Sequence, residues 1–205
     1  MKEIIFVILD QWADWESAFI ASALHSGVIP GSPIKYQVKT LSTTKDPVCS
    51  LGGFKTIVDY DINSIPEDYA ALVLIGGMSW FDKEAEQLIP IVRKAIDSNK
   101  VVGAICNASV FLGRHGLLNN VQHTSNTLGY LENIAKEHYT NKDGYINSQA
   151  VSDKNIVTAN GSGYLEFAKE LLLLLDAESE SVIEQYYDFN KLGLCELEKM
   201  GKSPF

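Results

Sequence analysis

The sequence has no apolar run long enough to cross a membrane. The longest run after the amino terminus, Leu171–Leu175, falls far short of the roughly 20 residues that a membrane helix needs. The opening segment Met1–Leu9 is short, carries Lys2 and Glu3, and is followed by no cleavage site typical of a secretory signal. We therefore expect no membrane partner and a cytoplasmic location.

Cysteine and histidine are scarce. The three cysteines, Cys49, Cys106 and Cys195, are odd in number and show no CxxC spacing, which favours a reducing compartment over a disulfide framework. The four histidines have no metal-ligand spacing among themselves or with the cysteines. We expect no metal site and no cofactor.

Positive charge is in deficit. Lysine and arginine total 17 against 26 aspartates and glutamates, which gives a formal charge of -9. Binding to nucleic acid regardless of its sequence needs clustered cations, so we expect no nucleic-acid partner. At 205 residues, 46% of them apolar, the chain suits one domain, 1–205. Its core is predicted at about 1–176 and a helical extension at about 177–205.

Short apolar runs alternate with helical patterns, which is typical of an α/β fold with a doubly wound, mostly parallel sheet. A Gly52-Gly53 pair also predicts a hairpin between Val48–Leu51 and Phe54–Asp59. The predicted strands are Glu3–Leu9, Ile34–Leu41, Ala71–Ile75, Val101–Ile105 and Ile156–Ala159. The predicted helices are Glu16–His25, Glu84–Ser98 (which Pro90 could kink), Ala108–Arg114, Leu128–Glu137, Tyr164–Leu175, Glu178–Lys191 and Leu194–Met200.

Cys106 stands between the strand Val101–Ile105 and the helix Ala108–Arg114. In this position a thiol projects from the carboxyl edge of the sheet, and the free N–H groups and dipole of the helix favour a thiolate. The nucleophile elbow of hydrolases holds a serine in the same geometry. The alternative is an inert cysteine of the core.

Other turns meet at the same sheet edge, where doubly wound proteins bind ligands. The N–H groups of Gly76, Gly77 and Asn107 could form an oxyanion hole, although Gly-Gly also serves as a plain strand-ending turn. Glu16 could hydrogen-bond the sulfur of Cys106, as a donor when protonated or as a general base when ionised. Its alternative role is that of a first-turn acid that stabilises the helix.

Further residues could line a pocket at this edge. Trp15 and Trp80 fall in the pocket-side loops, where they would line an apolar cleft or bury core area. The polar segment of His123, Thr124, Ser125 and Asn126 could return to the pocket and orient a substrate.

Taken together, these motifs resemble the ThiJ/PfpI family of the class I glutamine amidotransferase-like superfamily. The resemblance extends from the first strand to the helix after Gly163, and the C-terminal helices lie outside it. The matching segments are Leu9–Ser17, Leu74–Gly77, Gly103–Cys106, Gly116–Leu118, Thr124–Ser125 and Val157–Gly161.

The resemblance implies a flavodoxin-like sandwich, usually a homodimer, with Cys106 as the reactive cysteine and Glu16 as the carboxylate in contact with it. Activities attributed to the family include peptidase, glutathione-independent glyoxalase, deglycase, isocyanide hydratase and sensing of oxidative stress. Two departures stand out, because Asn107 occupies the place of the histidine of protease-like members, and Asn126 replaces a histidine of other members. Asparagine is not a base, so a peptidase is not expected.

Three hypotheses follow. The first is a small-molecule enzyme (a hydrolase or amidase, a hydratase, or a glyoxalase-like lyase) with Cys106 as an elbow thiolate tuned by Glu16. The second is a redox or electrophile sensor of the stress response, in which Cys106 is oxidised. The third is a binding scaffold that has lost the chemistry.

Overall fold

The computed structural model describes residues 1–203. A six-stranded sheet has the order β2-β1-β5-β6-β8-β7. All neighbouring strands are parallel except β7 and β8, which are antiparallel. This confirms the predicted doubly wound, mostly parallel α/β sheet. The strands are β1 Lys2–Val7, β2 Tyr36–Leu41, β3 Val48–Cys49, β4 Lys55–Thr56, β5 Ala71–Leu74, β6 Val101–Ile105, β7 Ala150–Asp153 and β8 Ile156–Ala159.

The helices cover both faces of the sheet and bury two cores. On one face α2, α3 and α4 pack through Val92, Phe111 and Leu131. On the other, α1, α5 and α6 pack through residues such as Ile20 and Phe167. Because the central strands are buried on both sides, they are apolar almost throughout. The helices are α1 Asp14–Ser26, α2 Ile89–Asp97, α3 Asn107–Arg114, α4 Leu128–Ala135, α5 Tyr164–Leu174, α6 Glu180–Leu192 and α7 Leu194–Lys199.

The predicted single helix over Glu84–Ser98 is wrong. A 3-10 helix over Lys83–Leu88 comes first, and α2 begins only at Ile89. Pro90 therefore lies in the first turn of α2, where proline's missing N–H breaks no hydrogen bond and its fixed φ suits a helix start. Pro90 therefore fits the start of this helix and does not kink it.

Two further features of the strands bear on the sequence-based predictions. The hairpin predicted around Gly52-Gly53 is confirmed, with β3 and β4 antiparallel and short. Strand β7 was not predicted, since its sequence Ala-Val-Ser-Asp has little apolar character. It pairs antiparallel with β8 at the edge of the sheet, and only Val151 of its four residues is fully buried.

The C-terminal helices pack beside α5 and α1. Ile183 of α6 is fully buried, and the Tyr186 hydroxyl donates to the carbonyl of Phe19 over 2.9 Å. An ion pair of 2.6 Å joins Lys169 of α5 to Glu184 of α6. Within residues 1–203, no helix combines the length and the apolar character that a membrane span requires.

Candidate active site

Cys106 occupies a strained turn between β6 and α3. Its backbone has φ 57° and ψ −128°, a conformation that L residues with a side chain rarely adopt. Its N–H donates to the carbonyl of Ala159 over 2.9 Å. Its own carbonyl accepts from the hydroxyl of Ser109 over 2.7 Å. The strain is therefore held in place by the sheet on one side and α3 on the other, as in a nucleophile elbow.

This strain predicts an unusual order of stabilities for two variants. Both Cys106→Gly and Cys106→Ala remove the thiol, but only glycine adopts a positive φ without steric cost. We expect the glycine variant to have the larger free energy of unfolding, by about 1–2 kcal/mol. Urea denaturation of the two variants measures this difference. An alanine variant as stable as the glycine variant would show that the turn is not strained.

Glu16 is carried to the thiol by the first turn of α1. Its side chain is almost fully buried. The Cys106 thiol and the N–H of Gly76 act on its carboxyl, but neither forms a hydrogen bond of regular geometry with it. A Cβ built at Gly161 would lie 3.3 Å from Oε1 of Glu16 and 3.0 Å from the sulfur of Cys106. A Cβ at Gly76 would collide with Oε2 of Glu16 and lie 2.6 Å from Cβ of Cys106. The carboxyl and the thiol are therefore neighbours, and glycines make room for both.

The environment raises the pKa of both groups. Burial raises the pKa of Glu16 to about 7, against smaller opposing contributions from the Cys106 thiol and the N–H of Gly76. Burial and the nearby Glu16 carboxylate raise the pKa of Cys106 to about 11, although Asn126 and the N–H of Asn107 act the other way. The carboxyl therefore ionises first.

The surroundings of Cys106 act on a thiolate in both directions. The N–H of Asn107 does favour the thiolate, as the position at the start of α3 predicts. Burial, however, opposes any charge on the sulfur, and a carboxylate beside it opposes a second negative charge.

Two asparagines hold amide groups against the sulfur. The Nδ2 of Asn126 donates to Sγ of Cys106 over 3.5 Å and to Oδ1 of Asn107 over 3.3 Å. The Oδ1 of Asn126 accepts from the N–H of Gly161 over 3.0 Å, and Nδ2 of Asn107 donates to the carbonyl of Gly77 over 2.8 Å. This chain fixes which end of Asn126 faces the sulfur, so that an N–H donor lies there.

The three N–H groups expected in an oxyanion hole have different roles. The N–H of Gly76 acts on the Glu16 carboxyl, whose pKa it lowers, and that of Asn107 acts on the thiol of Cys106. The N–H of Gly77 has no hydrogen-bond partner among residues 1–203. Gly77 also has to be glycine, since a Cβ would lie 2.5 Å from the carbonyl oxygen of Gln11.

The two tryptophans predicted to line the pocket lie in different environments, one at the surface and one in the core. Trp15 is 46% exposed, and its Nε1 donates to the carbonyl of Gly161 over 3.4 Å, at the rim of the site. Trp80 is instead a core residue. It is 1% exposed, donates to the carbonyl of Ile75 over 2.7 Å and packs against Phe111. Its predicted place in the pocket was wrong, because its ring fills the space between β5 and α3.

Of the polar segment 123–126, only Asn126 places its side chain at the site. His123 is fully buried, with Nε2 2.7 Å from the Tyr139 hydroxyl and Nδ1 2.9 Å from the carbonyl of Val121. Burial lowers its pKa, so it is a neutral structural residue. Thr124 donates to the carbonyl of Ser148, and Ser125 bonds to Ser109 beneath α3. The polar character of this loop alone could not distinguish the buried residues His123, Thr124 and Ser125 from Asn126, which reaches the site.

Gly161 is the residue of the site that sequence reasoning did not single out. It contacts the thiol and carboxyl through its missing side chain, and it orients Asn126 through its N–H. The signals were its place in the Asn-Gly-Ser-Gly turn after β8 and at the end of the matching segment Val157–Gly161. Among the described residues, no three His, Cys, Asp or Glu side chains cluster so as to hold a metal ion.

Comparisons with known proteins identify the family of this chain. The DJ-1/PfpI family profile matches residues 2–174. The chain is 41% identical over 194 residues to a Bacillus subtilis protein named "uncharacterized protease YdeA", covering 94% of this chain and 93% of that protein. The earlier resemblance to the ThiJ/PfpI family is therefore confirmed, and it extends to YdeA.

Two solved structures share the fold. A DJ-1 superfamily protein from Agrobacterium tumefaciens superposes with a TM-score of 0.81 at 32% identity, over 92% of this chain and 97% of that one. A thiJ/pfpI family protein from Bacillus anthracis superposes with a TM-score of 0.88 at 28% identity, over 100% of this chain and 98% of that one. On the profile match, the shared sequence and the shared fold, this chain belongs to the DJ-1/PfpI family.

Proposed function

We propose that the protein is an acyl-transfer enzyme, a hydrolase or amidase of small molecules, in which Cys106 is the nucleophile and Glu16 the general base. The observation that carries this proposal is the buried Glu16–Cys106 pair. A carboxyl with a pKa raised to about 7 by burial is suited to proton transfer near neutral pH. A strained elbow holds the thiol beside it.

The proposed reaction has two steps. In the first, the sulfur of Cys106 attacks the carbonyl carbon of an amide or ester while the Glu16 carboxylate takes the thiol proton. The C–N or C–O bond then breaks, the proton passes from Glu16 to the leaving amine or alcohol, and a thioester remains on Cys106. In the second step, water attacks the thioester with Glu16 again as base, which releases the acid and restores the thiol.

Two donors are candidates for holding the developing oxyanion. The N–H of Gly77 is unpaired among the described residues, and Nδ2 of Asn126 already lies 3.5 Å from Sγ. Each such donor is worth roughly a hundredfold or more in the rate of acyl transfer. Because Glu16 is the base in this mechanism, the asparagine at position 107 does not abolish it, although no Cys–His dyad of the protease type is present there.

The proposal predicts covalent acylation of Cys106 by 4-nitrophenyl acetate, a generic activated ester. We expect a burst of nitrophenolate equal to one equivalent of enzyme, and one acetyl group on the peptide that contains Cys106. Cys106→Ser should lose the burst. Cys195→Ser, which removes an exposed thiol, should keep it. A full burst from the Cys106→Ser variant would contradict the mechanism.

The other hypotheses differ in what they need from the thiol. A hydratase or lyase would use the same nucleophile and base on a different electrophile, and the burst experiment tests the step that they share. A peroxide sensor depends on thiolate character, which burial and Glu16 oppose here. An unreactive Cys106 would favour the binding scaffold. We also propose that two copies associate, since several apolar side chains near the site are exposed (Trp15, Leu51, Phe54, Met78).

A further inference from the structure

A separate cavity of about 300 Å³ lies where the chain leaves three neighbouring strands, β2, β1 and β5. It is lined by residues that follow each of them, among them Asp10 after β1, Ser42 after β2 and Ser79 beyond β5. None of the residues that contact the Cys106 thiol lines it. The strand order changes direction at β1, because β2 lies on one side of it and β5 on the other. Doubly wound sheets bind ligands beside such a point, and the volume suits a small molecule.

The cavity is acidic. No lysine, arginine or histidine of the described residues lines it, and Lys45, which lies beside it in the chain, acts on Asp61 instead. Its four carboxylates form no ion pair within residues 1–203, and each keeps at least one oxygen free of hydrogen bonds to these residues. A cleft lined with charge of one sign attracts ligands of the opposite sign. The four carboxylates belong to Asp10, Asp46, Asp82 and Glu84.

A buried hydroxyl without a partner also faces the cavity. Ser42 is 3% exposed and lines it. Its N–H donates to the carbonyl of Tyr60 over 3.1 Å, but its Oγ forms no hydrogen bond with any described residue. Buried polar side chains normally have a partner, so this hydroxyl points to a ligand. The lining around it is apolar and buried, through Leu9, Val48 and Ala85.

We propose that this cavity binds a small organic cation, a primary ammonium on a short aliphatic chain with a second polar group at its far end. The ammonium pairs with the exposed carboxylates, the chain lies against the apolar lining, and the second polar group meets the hydroxyl of Ser42. A metal ion is not the expected ligand, because no three acidic side chains of the described residues are placed to hold one. The inference does not depend on the chemistry proposed for Cys106.

The test uses 1,4-diaminobutane as the probe, and NMR of the ¹⁵N-labelled full chain as the measurement. We expect saturable shifts of the amide signals of residues 42–48 and 79–85, with those of Cys106 and Asn107 unchanged. The affinity should be modest, since exposed ion pairs are individually weak. 1,4-Butanediol has the same length without the charge, and succinate carries the opposite charge, so neither should give saturable shifts. Absence of saturable shifts with the diamine, or equal shifts with the diol, would overturn the proposal.

Two variants locate the ligand in the cavity. Asp82→Asn should weaken binding of the diamine about threefold and Ser42→Ala about fivefold, the usual effects of losing one exposed ion pair and one hydrogen bond. Glu198→Gln is the matched control, because Glu198 is also exposed and in no ion pair of the described residues but lies in α7. It should bind as the wild type does.

Two results with these variants would contradict the proposed site. Unchanged affinity in both Asp82→Asn and Ser42→Ala would place the diamine elsewhere. Equal weakening by Glu198→Gln and Asp82→Asn would show that the diamine only follows the net negative charge of the protein. Neither result bears on Cys106, whose acylation is measured separately.

Discussion

Glu16→Gln should make the protein more stable at pH 8, by about 3 kcal/mol, while it removes the base on which the proposed chemistry depends. The magnitude follows from the pKa of Glu16, which is raised from 4.5 to about 7 in the folded protein. Each unit of difference between the folded and unfolded states corresponds to about 1.4 kcal/mol. In a protein of this size the gain corresponds to a rise of roughly 6–12 °C in melting temperature.

The sign of this effect depends on pH. Below the unfolded-state pKa, Glu16 is protonated in both states, and burial of the neutral acid brings no penalty. As the pH rises from 4.5 to about 7, the unfolded chain ionises more readily than the folded one, and the folded state loses stability. Glutamine does not titrate, so the variant and the wild type should be equally stable near pH 4 and should diverge up to pH 8.

Urea denaturation at pH 4 and pH 8 measures the difference in free energy of unfolding between the variant and the wild type. Glu166→Gln is the control, for which we expect the opposite change in stability. Burial of Glu166 is outweighed by hydrogen bonds from Lys191 and Tyr187, so its pKa is lowered in the folded protein. That variant should lose stability at pH 8. If Glu16→Gln destabilises the protein at pH 8 as well, the Glu16 carboxylate is paired in solution and the account of its environment is wrong.

Glu16→Gln should also slow acylation of Cys106 by 4-nitrophenyl acetate about a hundredfold at pH 8. A positioned general base contributes typically two to four orders of magnitude, and glutamine keeps the size of the side chain but accepts no proton. The rate constant of the nitrophenolate burst measures this loss. Together with the gain in stability, it would mark Glu16 as a residue kept for chemistry at a cost to the fold.

Asp14→Asn is the control for this rate, since its carboxylate lies in the same first turn of α1 but accepts from the N–H of Gly52 in the hairpin. It should acylate within about twofold of the wild type. A Glu16→Gln variant that acylates as fast as the wild type would show that the thiol reacts without help from Glu16. The mechanism would then need a different base or a preformed thiolate.

The sequence predicted those parts of the fold that local patterns determine. Val101–Ile105 and Ile156–Ala159 are strands at their predicted bounds, because buried parallel strands are continuous apolar runs with sharp ends. Strand β7 carries no such run, because most of its side chains are only half-buried. The start of α2 depends on Pro90, whose effect is decided by its position within the first turn or beyond it.

The site was predictable in its residue types and less so in its electrostatics. The elbow pattern identified Cys106, and the resemblance identified Glu16 as its neighbour. Where the side chains of Trp80 and His123 point depends on their tertiary partners, Phe111 and Tyr139. No local sequence pattern reveals these partners. The protonation of the pair depended on burial, which opposes the thiolate that the position at the start of α3 favours.

The pH dependence of Cys106 acylation tests the central claim most directly. With Glu16 as the base, the rate in the wild type should rise through an inflection near pH 7, the value to which burial raises the pKa of Glu16. It should rise again only as the pH approaches the thiol's own pKa of about 11. The inflection near pH 7 should be absent from Glu16→Gln. An inflection well below pH 7 that persists in Glu16→Gln would instead show a preformed thiolate and contradict the account.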